Sequence, residues 1–137
     1  MTKEYLNPTE LPNWSDSFSQ IVVVRTATTR TIFVSGQVSA DASNNVIGQG
    51  DLRRQAEVAL GNLSTALAAG GASPSDVVRL GIYVKDYQRE QAEIITSALH
   101  RVFVAGRMPC STWLGVSSLA LDELLIEFEA TAIIEVE

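Results

Sequence analysis

The side chains best suited to chemistry gather between Pro109 and Glu137. Glu127 and Glu129 occupy odd positions of a segment whose even positions, Ile126, Phe128, Ala130, Ala132, Ile134 and Val136, are all apolar. A carboxylate held beside a pocket can take and return protons as a general acid or base. The same alternation also predicts plain solvated glutamates on the polar face of a sheet, a role that suits Glu129 and Glu135. Ahead of this segment, Cys110-Ser111-Thr112 offers a thiol and two hydroxyls. Ser111 and Thr112 can donate to a ligand oxygen, or satisfy backbone groups where a strand begins. A nucleophilic Cys110 needs a base or cation to form its thiolate, and His100 is not adjacent to it in sequence, so a spectator thiol is favoured. His100 itself falls beside an apolar helical stripe and reads as a rim residue. Trp113 shares the face of Ser111, where it can narrow a pocket, stack on a planar ligand or pack at an interface. Arg107 is the cation nearest Pro109, and a loop arginine facing water is its simplest role.

Composition limits what these residues can serve. The chain has 137 residues, 46% hydrophobic and 19% charged, which suits one globular domain. Its 10 Lys and Arg against 16 Asp and Glu give a net charge of -6, a poor balance for neutralising phosphates. The one small basic cluster, Arg53-Arg54, reads as a solvated helix face, so no nucleic-acid partner is expected. No run of apolar residues is long enough to span a bilayer, and no secretory h-region follows Met1. One cysteine excludes an intrachain disulfide and suits a reducing compartment, hence a cytoplasmic location. One Cys and one His cannot build an ordinary zinc site.

The elements that must position these residues follow from periodicity. Residues 1–17, with Pro8, Pro12 and Trp14, read as an N-terminal arm over a single domain spanning 1–137. Ile21–Val24 and Thr31–Ser35 are β-branched runs around a polar break, which predicts a hairpin ending at Ser35-Gly36-Gln37. Leu52, Ala56, Leu60, Leu63 and Leu67 form one stripe, predicting a helix over 51–69 that Gly70-Gly71 stops. Val77–Val84 alternates as a strand. A second helix is predicted over 88–104, ended by Gly106 and Pro109. Two strands close the chain, with Ser111 and Trp113 opposite in direction to Thr112 and Leu114. The order is ββαβαββ: an α+β fold in which two helices cover one face of a mixed sheet. The uncovered polar face points to self-association.

Several segments in this order resemble the RidA/YjgF family. They are Ser35-Gly36-Gln37, the helix end from Leu67 through Gly70-Gly71 to Val78, Tyr83-Val84-Lys85-Asp86, Pro109–Thr112, and Ile126-Glu127-Phe128-Glu129-Ala130-Thr131-Ala132. The resemblance runs from about Phe18 to the C-terminus. It implies a chorismate-mutase-like fold and a homotrimer with small-molecule pockets between subunits. It also implies hydrolysis of 2-imino or enamine acids to 2-oxo acids and ammonia, without a cofactor. In that chemistry an arginine holds the substrate carboxylate and a glutamate manages water and protons.

Carried over residue by residue, the resemblance makes Glu127 the catalytic acid/base. It makes Phe18, Gly36, Ile94, Cys110, Ser111 and Trp113 the substrate-binding set. Ser111 stands where the family has its arginine, Phe18 where it has a tyrosine, and Ile94 where many active members have an asparagine. Losing a bidentate guanidinium contact costs about 2–3 kcal/mol, roughly a hundredfold, and argues against efficient hydrolysis of ordinary 2-imino acids. Two expectations stay open: hydrolysis of a small imine, enamine or amide-like metabolite, and a non-catalytic trimer that binds a metabolite as sensor or scavenger. A ribonuclease activity, as attributed to some relatives, fits the acidic balance poorly.

Overall fold

The computed structural model describes residues 1–136. Six strands form one sheet: β1 (Thr2–Leu6), β2 (Ile21–Arg25), β3 (Thr29–Val38), β4 (Val77–Lys85), β5 (Cys110–Val116) and β6 (Ile126–Glu135). Their spatial order is β1-β2-β3-β6-β4-β5. Every neighbouring pair is antiparallel except β4 with β5, whose parallel pairing requires a crossover. That crossover contains α2 (Ala92–His100), while α1 (Leu52–Ala69) follows β3. The predicted α+β architecture and the order ββαβαββ are thus present, with one strand added at the front.

Alternation decides which face the helices cover. Ile32, Val34, Leu80, Ile82, Val84, Ile126 and Phe128 point to one side and bury against Leu60, Leu63 and Leu67 of α1 and Ile95 and Leu99 of α2. Each fully buried side chain of this size stabilises by about 1.5–3 kcal/mol. Asp51 caps α1 by accepting from the Arg54 N–H, and Gly71, at a φ of 86°, reverses the chain beyond Gly70. The opposite face is mixed. Tyr83, Glu127, Glu129 and Thr131 share it with Phe33, Leu114 and Ile133, which remain exposed.

Three boundaries depart from expectation. The first residues of the predicted arm are a strand, since β1 pairs with β2 from Thr2–Arg25 to Leu6–Ile21 and Glu4 forms an ion pair with Arg25. An edge strand exposes most of its side chains, so Thr2–Leu6 carries no apolar alternation to reveal it. The strand β3 does not stop at Ser35-Gly36-Gln37. It passes through a bulge between Val34 and Gln37 and continues to Val38. The second helix is shorter than predicted, with a 3₁₀ turn at Arg89–Gln91 before it. Beyond His100 the chain folds back so that Phe103, whose N–H reaches the Leu99 carbonyl, enters the core.

Candidate functional site

The bulge in β3 creates a pocket beside Glu127. With one extra residue in the strand, Gly36 faces the side chain of Glu127, whose Cα pairs with Val38 and Tyr83. A Cβ on Gly36 would lie 2.5 Å from the Glu127 carboxyl carbon, so only glycine leaves room there. Glu127 therefore leans across β3. Glu129, two residues on, leans the other way over Gly81, where a Cβ would sit 2.7 Å from its Oε1, and accepts a 2.5 Å hydrogen bond from the Tyr83 hydroxyl. The two carboxyls of the alternating strand are thus separated by two glycines on opposite neighbours.

A wall of the pocket comes from the segment before β2. Trp14 and Phe18 stack with ring centroids 6.1 Å apart and planes 15° from parallel, set by a turn in which the Ser17 and Phe18 N–H groups both donate to the Trp14 carbonyl. Gln20 and Gln37 are buried beneath it. Gln37 Nε2 donates to Gln20 Oε1 at 2.7 Å, and Gln20 Nε2 donates to the Pro12 carbonyl at 2.9 Å. This chain of amides satisfies the buried polar groups and ties the Trp14 segment to the bulge.

Two loops close the remaining sides. Leu121 and Leu124 come from the loop before β6, which is pinned by fully buried Gln55: its Nε2 donates to the Glu123 carbonyl at 2.9 Å and its Oε1 accepts from Leu125 N–H at 2.8 Å. Asn44 comes from a tight turn in which Asp41 accepts from the Asn45 N–H, the Asn45 side-chain amide and the Ser43 N–H, bonds that hold the Asp41 carboxyl below its ordinary value. Asn44 sits there at a left-handed φ of 67°. Its Oδ1 is buried and has no partner among the described residues. The resulting pocket of about 120 Å³ is largely apolar, and Glu127 is the ionisable group among its walls. Burial pushes the Glu127 carboxyl above its ordinary value, and the nearby charge of Glu129 adds to this. The Tyr83 hydroxyl is raised too, first because it donates to Glu129.

The predicted site residues divide into two groups. Phe18, Gly36 and Glu127 line this pocket together. Ile94, Cys110, Ser111 and Trp113 do not. Residues paired across a ladder share a face, so Leu114, opposite Tyr83, lies on the Glu127 side, while Ser111 and Trp113 point to the other side of edge strand β5. Trp113 packs edge-on against Tyr87 with centroids 5.6 Å apart, and its buried indole N–H has no partner among the described residues. Ile94 is half-buried against the core. Cys110 is exposed, with its thiol donating to the Val78 carbonyl at 3.1 Å. Arg107 lines a separate depression with Pro74, Ser75 and Phe103 and does not approach Glu127's pocket. Sequence reasoning missed Asn44, Trp14, Gln20 and Gln37. The Asn44-Asn45 pair in a turn was the one local signal for an αL position; the others depend on tertiary contacts. Among the described residues no group of three or more metal-binding side chains forms, and no helix is long and apolar enough to cross a membrane.

Comparison with known proteins places this pocket on a recurring scaffold. Residues 9–134 match the family model described as Endoribonuclease L-PSP. A RutC family protein of Pyrococcus abyssi is 30% identical over 132 residues, covering 96% of this chain and 98% of that protein. A 2-iminobutanoate/2-iminopropanoate deaminase of Rattus norvegicus is 27% identical, covering 96% of this chain and 90% of the other. Among solved structures, a Rid family protein of unknown function from Yersinia pestis is 35% identical with a TM-score of 0.74, covering 98% of this chain and all (100%) of that one. A Thermotoga maritima protein superimposes with a TM-score of 0.84 at 28% identity, covering 98% and 99% of the two chains.

Proposed function

The chain belongs to the Endoribonuclease L-PSP family, the RidA/YjgF group, and from that premise we propose that it hydrolyses a small imine- or enamine-type metabolite with Glu127 as acid and base. The observation that carries this reading is the half-buried Glu127 carboxyl, leaning over Gly36 into an apolar pocket with its proton affinity raised. A carboxyl so placed can give its proton to an imine nitrogen, making the carbon electrophilic. The resulting carboxylate then takes a proton from the attacking water. The tetrahedral adduct receives that proton on nitrogen and expels ammonia while its hydroxyl proton passes to Glu127, so that C=NH and H₂O become C=O and NH₃ with the Glu127 carboxyl restored. Relatives bearing the name 2-iminobutanoate/2-iminopropanoate deaminase support the reaction class.

The site is completed in a homotrimer, by our reading. The exposed Phe33, Leu114 and Ile133 on the uncovered sheet face give an interface apolar contact. The free edge of β5 offers Ser111 and Trp113 to a neighbour's pocket, which the subunit's own geometry keeps from Glu127. Cys110, Ser111 and Trp113 then act as binding residues across the interface, with Ile94 behind them. The lone, exposed Cys110 suits a reducing, cytoplasmic setting.

A second reading, a non-catalytic trimer that binds a metabolite, is favoured by Ser111 standing where the arginine of active relatives belongs. Ammonia release from a panel of freshly generated imines, compared with Glu127→Gln, separates the two. Hydrolysis predicts a fall in turnover of about a hundredfold or more in the variant. Equal rates in both proteins remove Glu127 from the mechanism. The net charge of -6 gives no support to RNA cleavage.

A further inference from the structure

The Glu127 pocket carries an aromatic wall to which the hydrolytic reading gives no part. Trp14 and Phe18 stack nearly parallel, and Phe18 keeps 41% of its surface exposed beside the pocket. A ring left open in this way offers apolar area that a ligand can cover. Pro12, Leu121 and Leu124 add further apolar surface to the same pocket. The wall is set before any ligand arrives. The Ser17 and Phe18 N–H groups hold the turn at Trp14, and Gln20 holds the Pro12 carbonyl. Gln55 holds the loop before β6 through the Glu123 carbonyl and the Leu125 N–H. A preformed apolar surface gains from every methylene or ring that covers it, with little lost to ordering.

We infer that Trp14 and Phe18 set the specificity of this site, selecting a ligand with a large apolar side chain, an aryl ring above all, over one whose side chain has one or two carbons. The inference rests on the functional reading above for its site and narrows the substrate class. The relatives named 2-iminobutanoate/2-iminopropanoate deaminase act, by that name, on imines with ethyl and methyl side chains. Groups of that size would leave most of the two rings uncovered. Glu127 and the two rings line one pocket, so a ligand reacting at the carboxyl can direct its side chain onto the aromatic wall. An aryl group there covers Phe18 and adds an offset or edge-to-face ring contact. Apolar pockets discriminate by roughly 10–200-fold for each methylene gained or lost. The selection turns on surface that this chain itself supplies, and a neighbour that completes the site adds to it. It does not depend on how the head of the ligand is held, or by which subunit.

Three neutral amides with one head group and side chains of rising size test this: acetamide, isovaleramide and phenylacetamide. Their binding to the full chain is read from NMR shifts of the Gly36 backbone amide and the Trp14 indole. Phenylacetamide is expected to bind at least about thirtyfold more tightly than acetamide, with isovaleramide between them. Phe18→Ser alters a ring that is already part-exposed and leaves the core in place, while Trp14→Ala removes its stacking partner. Each variant is expected to cut the ratio of the two affinities about fivefold. Phenylacetamide that binds no more tightly than acetamide, or that binds without moving the Gly36 and Trp14 signals, overturns the inference. So does a ratio unchanged in both variants. Binding is read without turnover, so the two readings fail separately. Side-chain selectivity in a protein that releases no ammonia removes hydrolysis alone, whereas imine turnover with no preference for phenylacetamide removes only the specificity.

Discussion

At the scale of single residues, the decisive feature is the opposite lean of Glu127 and Glu129. Alternation makes them look equivalent, yet Gly36 draws one carboxyl into an apolar pocket while Gly81 and Tyr83 hold the other on the open face. Stability follows from this. The folded-state proton affinity of Glu127 is raised above the ordinary value of 4.5, so between those two values the folded chain binds more protons than the unfolded one. Stability therefore falls as pH rises through that window, and the ionised carboxylate is a net cost at neutral pH. Glu127→Gln, which cannot ionise, is expected to melt on the order of 2 °C higher than the parent at pH 7. The difference should shrink toward zero as pH is lowered to the ordinary carboxylate range. Melting curves taken across pH check this; a variant less stable than the parent at pH 7 would contradict it.

At the scale of elements, β3 and β5 matter most. Without its bulge, the register of β3 would put Gln37 rather than Val38 opposite Glu127 and Gly36 opposite Phe128, so that Gly36 would no longer leave room for the carboxyl. Gly36→Ala isolates that effect, because the new methyl would meet the Glu127 carboxyl carbon at 2.5 Å. The glutamate or the bulge must shift, which is expected to cost about 1–3 kcal/mol of stability and to reduce binding or turnover by about tenfold or more. Chemical denaturation and the ammonia-release assay measure the two effects. An alanine protein with parental stability and binding would show that the contact is relieved by simple rotation. The edge strand β5 acts differently, since it carries Ser111 and Trp113 on the side away from Glu127, and its contribution depends on what lies beyond the subunit.

At the scale of the whole molecule, a sheet covered on one face only leaves Phe33, Leu114 and Ile133 in water. These residues share that face with Tyr83, Glu129 and Thr131, a mixture that suits a wet interface with an apolar centre. Replacing Phe33 and Ile133 together by aspartate should weaken a homotrimer about a hundredfold or more and leave the helix-covered core intact. Sedimentation velocity would then report a monomer with an unchanged circular-dichroism spectrum. A double variant that sediments like the parent would move the interface elsewhere on the surface.

The amino-acid sequence by itself determined the strands and helices whose burial is periodic. The stripe Leu52–Leu67 and the alternation of Ile126–Val136 record, locally, which side faces the core, and so the α+β class, the element order and the outward position of Glu127 were legible. That Ser111 and Trp113 share one side of β5 was legible for the same reason, though not which side. Polar or irregular pieces were not: β1 lies on an exposed edge, and the bulge at Ser35-Gly36 has no period to read. The pocket itself was decided only by tertiary structure. Trp14, Gly36, Asn44, Leu124 and Glu127 are brought together by buried Gln20, Gln37 and Gln55, whose amides bridge segments far apart in the chain. Spacing along a sequence records local repeats, whereas a hydrogen bond between distant loops leaves no repeat behind. For the same reason, only the folded chain reveals that Glu127 and Ser111, joined in the family pattern, stand on opposite faces of one sheet.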